Sequence, residues 1–278
     1  MTSRQYTFIN NTHGFSVSLI EGAQTLAEIS KIHNIGPFAE SFYQKTLLTS
    51  LQMVNFLKPN ENLGFYIDSE EPYYRFKIEF SSTGTYRTLL LPEDFDDFPK
   101  TLTGKVRFTK TMYGKAPYTS LLEYKEEKLE ELINDVITKS YQVNATTIVK
   151  DDKTSSLMVT KLPPSNVNKK IEDFEDLNLA QILDQYKDLF DSALLLKDSN
   201  VLEVEKLFEE YNLQYLGSKE IKFHCPCSKE RMVNNLFSLA KEDQEHLFDE
   251  KDSLEIRCDY CNTNYDIYKV DLEDKKIQ

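Results

Sequence analysis

Along the first 165 residues the apolar positions keep switching between two spacings. An alternating pattern lines one face of a strand, whereas a 3.6-residue spacing lines one stripe of a helix. "FSVSLI" (Phe15–Ile20) alternates and is predicted as a strand. "AQTLAEISKIH" (Ala23–His33) has helical spacing, and Gly36-Pro37 then punctuates the chain. Proline suits a first helical position. Pro37 to Leu57 is therefore predicted as one long helix, burying Phe38, Phe42 and positions between Leu51 and Leu57. "LGFYID", "YYRFKIEF" and "TYRTLLL" follow as strands, separated by turns at Ser69–Pro72 and Ser81–Gly84. "KVRFTKT" and "PYTSLLEY" read as a hairpin around Gly114, and "EEKLEELINDVITKSYQ" as an amphipathic helix. "VNATTIV" and "SSLMVTKLPP" make a second hairpin across a polar turn at Asp151–Thr154. Residues 1–165 thus read as one mixed α+β domain.

After Pro163-Pro164 the pattern stays helical but the charge changes. Glu172 to Glu210 holds 12 acidic residues and 3 lysines, a net of −9. Leu179, Ile182, Leu183, Tyr186 and Phe190, then Val204, Leu207 and Phe208, recur at helical spacing. This stretch, residues 166–217, is an acidic helical linker. It is either a solvated helical hairpin or a connector of marginal stability. Like charge opposes compaction, so in the second case its apolar side needs a docking surface. Residues 218–278 form a third part, too small to build much core without a staple.

Composition narrows the function. The chain has 278 residues, 40% hydrophobic and 28% charged, with 17 Phe, 16 Tyr and no Trp. That is enough apolar material for a folded protein. A net charge of −13 argues against nucleic acid or an anionic membrane as a partner, since both call for a basic surface. "MTSRQYTFIN" has no apolar signal core, and no run approaches a membrane span, so a cytosolic protein is expected. No phosphate-binding loop, dinucleotide fingerprint or Ser/His/Asp arrangement is present, so no enzyme is expected.

All four cysteines lie in the last part: Cys225 and Cys227 as C-x-C, then Cys258 and Cys261 as C-x-x-C. Four thiolates can close a tetrahedral shell around zinc. In a cytosolic chain this spacing favours metal over a disulfide framework. Asn262 follows the second pair where glycine is usual, and asparagine tolerates the left-handed backbone such a knuckle uses. Between the pairs, Ser228 caps a helix, a second short helix follows, and "SLEIRC" (Ser253–Cys258) reads as a strand. His224 and His246 are expected as bystanders, and His13 and His33 as ordinary structural residues. Four readings stay open: a structural zinc site, two plain disulfides, a zinc-ribbon adaptor, and a thiol–disulfide oxidoreductase using Cys258 and Cys261. Because thiolates are the form that oxidants attack, the site could also switch.

The segment "IKFHCPCSKERMVNNLFSLAKEDQEHLFDEKDSLEIRCDYCNTNY" resembles the redox-regulated 33 kDa heat-shock chaperones, the 33 kDa chaperonin family. The resemblance rests on C-x-C-S-K-E-R, a helical spacer, an acidic turn, and C-D-Y-C followed by an aromatic. It implies an ATP-independent holdase, inactive while Cys225, Cys227, Cys258 and Cys261 hold Zn2+. Oxidation would release the metal and form disulfides Cys225–Cys227 and Cys258–Cys261. The linker would then unfold, and the protein would bind unfolding clients and dimerise. Leu183, Tyr186, Phe190 and Leu207 are candidates for exposure on opening. The chain departs from the family at Asn262, which replaces a glycine, and in holding only 8 glycines.

Overall fold

A computed structural model describes residues 2–150, 154–163, 174–197, 199–248 and 251–273. Most of the turn at Asp151–Thr154, the start of the linker and the acidic turn at 249–250 lie outside the described residues. The architecture is α+β, in two compact units, residues 1–223 and 224–278.

In the first unit β1 (Arg4–Asn10), β2 (Phe15–Glu21), α1 (Ala23–Ile32) and α2 (Pro37–Leu51) are followed by β3 (Glu61–Glu70), β4 (Tyr73–Ser81), β5 (Thr85–Leu91), β6 (Leu102–Met112), β7 (Tyr118–Glu127) and α3 (Leu129–Tyr141). Then come β8 (Ala145–Val149), β9 (Ser155–Lys161), α4 (Leu179–Gln185), α5 (Lys187–Ala193), α6 (Val201–Glu209), β10 (Gln214–Glu220) and β11 (Lys222–Phe223). Two sheets form, in the orders β10-β1-β2-β9-β8 and β11-β5-β4-β3-β6-β7. All pairings within them are antiparallel except β11 with β5.

The helix predicted from Pro37 to Leu57 breaks after Leu51 into a 3-10 turn, Gln52–Phe56. At that point the Gln52 side chain reaches β9, its Nε2 donating to Ser156 O at 2.9 Å and to Ser156 Oγ at 3.0 Å. Phe38 was expected inside but is 57% exposed. The inward stripe of α2 runs instead through Ala39, Tyr43, Leu47 and Leu51, four residues apart, which leaves Phe38 on the outer side.

The five-stranded sheet is covered on both faces. Ile20, Ala145 and Met158 join the helices α1–α3 and the six-stranded sheet in the main core. On its other face Tyr6, Phe8, Phe15, Val17, Leu19, Leu157 and Val159 meet the linker helices. The acidic stretch is thus docked by its apolar side. Phe8 and Phe208 stack with centroids 3.9 Å apart. Asn10 Nδ2 donates to the Tyr186 hydroxyl at 3.0 Å, and His13 Nδ1 lies 2.7 Å from that hydroxyl. Asn178 and Asn200 close α4 and α6 with capping boxes, satisfying end amides that have no helical partner. Ile182, Tyr186, Phe190, Val204 and Phe208 are buried, and Leu183 and Leu207 partly so. The residues named for exposure are therefore core in this state.

Sequence reading missed β1 and β10, although Tyr6 and Phe8 alternate. The expected boundary at residue 218 falls inside β10, which pairs along β1. Main-chain pairing, invisible in composition, carries the first unit to Phe223.

Candidate metal centre

The second unit holds α7 (Lys229–Phe237), α8 (Lys241–His246), β12 (Ser253–Arg257), β13 (Asn264–Tyr268) and α9 (Lys269–Glu273). Ser228 caps α7 as expected, its Oγ accepting from Arg231 N at 3.2 Å. β12 and β13 form an antiparallel hairpin whose turn carries Cys258 and Cys261. The core comprises Val233, Leu236, Phe248, Ile267 and Leu272, with partly buried neighbours including Leu254, Ile256 and Tyr265.

C-x-C precedes α7 and C-x-x-C sits at the hairpin turn, so their sulfurs meet only through the fold. All four Sγ atoms lie within 4.8 Å of one another. Cys225 Sγ is 3.7 Å from Cys258 Sγ, and Cys227 Sγ is 3.2 Å from Cys261 Sγ. None is in a disulfide. Four sulfurs at about 2.3 Å from a tetrahedral zinc would stand about 3.8 Å apart. The donor set and spacing therefore fit such an ion, with Cys225, Cys227, Cys258 and Cys261 as its holders. Among the described residues this is the one group of three or more candidate ligand side chains that converges.

The knuckle has the backbone its sequence called for. Asn262 has φ 57°, and its N–H donates to Cys258 O at 2.8 Å while Cys258 N–H donates to Thr263 O at 2.9 Å. The amides of Tyr260 and Cys261 face the Cys258 sulfur. Burial pushes the Cys258 thiol up. Burial acts the same way on Cys261, but hydrogen bonds with Thr263 and with neighbouring cysteines outweigh it and bring that thiol down to about 7.

Two hydroxyls that sequence reading did not single out touch the cluster. The Tyr265 hydroxyl is 3.0 Å from Cys227 Sγ, and Thr263 Oγ1 is 3.2 Å from Cys261 Sγ. The hydrogen bond to Cys227, then burial, pushes the Tyr265 phenol up to about 12. The alternation of Tyr265 with Ile267 was the available signal for a strand aimed back at the site. His224 and His246 stand outside the cluster. His13 lies beside Tyr186. His33 is buried between the Glu93 carboxylate at 2.7 Å and Thr88 O at 3.0 Å.

The family model described as Hsp33 protein matches residues 3–268. The 33 kDa chaperonin of Aquifex aeolicus is 21% identical, over 94% of this chain and 85% of its own. That of Desulforamulus reducens is 24% identical, over 93% and 92%. The crystal structure of a 33 kDa chaperonin (heat shock protein 33 homolog) from Thermotoga maritima superposes with a TM-score of 0.72. It covers 98% of this chain and 97% of that one, at 18% identity, a likeness of fold. With the family model spanning nearly the whole sequence, the chain belongs to the Hsp33 family.

Proposed function

We propose that this protein is an oxidation-activated, ATP-independent holdase of the cytosol, held inactive by zinc on Cys225, Cys227, Cys258 and Cys261. The observation that carries this reading is the convergence of the four sulfurs within 4.8 Å in a unit with a core of few buried side chains. Bound zinc supplies a structural crosslink, worth on the order of 10–16 kcal/mol in small modules. That is comparable to the whole stability of a domain, about 5–15 kcal/mol.

The four thiolates hold the two knuckles together only while they keep their lone pairs. A peroxide removes two electrons per cysteine pair: one sulfur attacks an oxygen, the O–O bond breaks, and hydroxide leaves. The neighbouring thiolate then attacks the sulfenic sulfur, closing the disulfide and releasing a second hydroxide. Cys225 with Cys227 and Cys258 with Cys261 are the proposed pairs. The module then loses its staple and the linker undocks. Tyr186, Phe190, Val204 and Phe208, buried at rest, and the sheet face under them become apolar surface for unfolding clients. Dimerisation of the oxidised form completes the proposal.

The test is joint. Metal release is titrated with peroxide at raised temperature while light scattering follows a thermally unfolding client. Reduced protein should carry one zinc and fail to suppress aggregation, and oxidised protein should suppress it. Equal suppression in both states rejects the switch.

A further inference from the structure

The oxidant must reach sulfurs whose reactivity is set by what else they touch. Tyr265 sits on β13, and its neighbour two residues on, Ile267, is fully buried in the module core. Alternate strand residues share a face, so the Tyr265 ring packs on that same core. Its hydroxyl emerges beside Cys227 Sγ, 3.0 Å away. The ring is anchored by packing, which makes the contact a fixture of the fold. The contact also crosses the site, since Tyr265 follows the C-x-x-C knuckle whereas Cys227 belongs to the C-x-C pair.

We infer that Tyr265 is a positioning residue that restrains oxidation of Cys227. The inference rests on the zinc-thiolate reading above. A metal-bound thiolate carries no proton, so in this contact the phenol donates and the sulfur accepts. Hydrogen bonds from outside the ligand set orient metal ligands, and hydrogen bonds to cluster sulfurs tune their potentials. The donated bond draws on the lone pair with which Cys227 would attack a peroxide oxygen. The chemistry is the thiolate oxidation written above, and Tyr265 changes only how readily Cys227 begins it. Thr263 Oγ1 lies 3.2 Å from Cys261 Sγ within the turn, accepting from the thiol while it is protonated; toward a metal-bound thiolate its aliphatic hydroxyl is a weaker donor than a phenol.

The experiment compares full-length wild type with Tyr265→Phe, which keeps the ring and removes the hydroxyl. Both are loaded with zinc and given sub-stoichiometric hydrogen peroxide. Initial metal release is read with a chromogenic indicator. Thiol loss at each cysteine is read by quenched alkylation and peptide mass spectrometry. The expected result is equal zinc content, release several-fold faster in Tyr265→Phe, and the gain concentrated at Cys225 and Cys227. Cobalt-loaded protein gives a readout that packing alone would not move: the sulfur-to-cobalt charge-transfer band should shift to lower energy in Tyr265→Phe. Thr263→Val should act on Cys261 instead, and more weakly. Unaltered kinetics and an unaltered cobalt band overturn the inference, as does loss of metal from Tyr265→Phe before any oxidant is added. A wild-type protein that keeps its zinc under peroxide defeats the redox reading itself, a separate outcome.

Discussion

The linker helices and the cysteine module solve one problem in different ways. Both are short stretches that cannot bury enough surface alone. The linker helices lean on the five-stranded sheet, with Phe208 stacked on Phe8 and Tyr186 edge-on to Phe15. Residues 224–273 have a core built around Val233, Leu236, Phe248, Ile267 and Leu272, and gather four sulfurs at one point. The first solution is made of many weak contacts and is insensitive to redox chemistry. On the proposed zinc reading, the second concentrates its stability in a few atoms, and those atoms are oxidisable. A domain that must open on a chemical signal is best built the second way.

The most severe way to break this comparison is to remove a sulfur. Cys258→Ser should release the metal and unfold residues 224–273, while the first unit keeps its amide protection. Hydrogen exchange read by mass spectrometry would show it, and uniform loss of protection in both units would contradict the division. Next in size is Phe208→Ala. Truncating a buried aromatic costs about 3–5 kcal/mol, so the linker should undock with zinc still bound. Aggregation suppression by this variant without oxidant would place client capture in the linker and its sheet face, and leave the metal as trigger only.

A smaller effect sharpens the role of the knuckle. At φ 57°, Asn262→Val should cost roughly 1–2 kcal/mol and weaken zinc about tenfold, measured by competition with a chelator. Asn262→Gly should hold zinc at least as well. The mildest test uses acid. Hydrogen bonds from Lys150 and Lys187 depress the Asp191 carboxyl from 3.8 to about 2. A depressed folded-state value stabilises above the unfolded value and is lost as pH falls from near 4 towards 2. Because these groups are exposed, the contribution is small. Asp191→Asn should therefore flatten the pH dependence of the thermal midpoint over that window and lower the midpoint slightly and evenly above it.

Local physics was readable from the chain. The alternation of Phe15–Ile20, the helical spacing around Ile182 and Val204, the Ser228 cap and the left-handed Asn262 each depend on neighbours a few residues away. The C-x-C and C-x-x-C spacings likewise declare two halves of a site, because ligand chemistry belongs to residue type. What depends on distant partners was not readable. Gln52, where α2 ends, anchors its side chain on Ser156, 104 residues on. β10 extends the first unit by pairing with β1, and Tyr265 reaches Cys227 from the opposite knuckle. Those outcomes follow from which surfaces meet when the chain closes on itself, and closure is set by the sum of all contacts, which no short window contains.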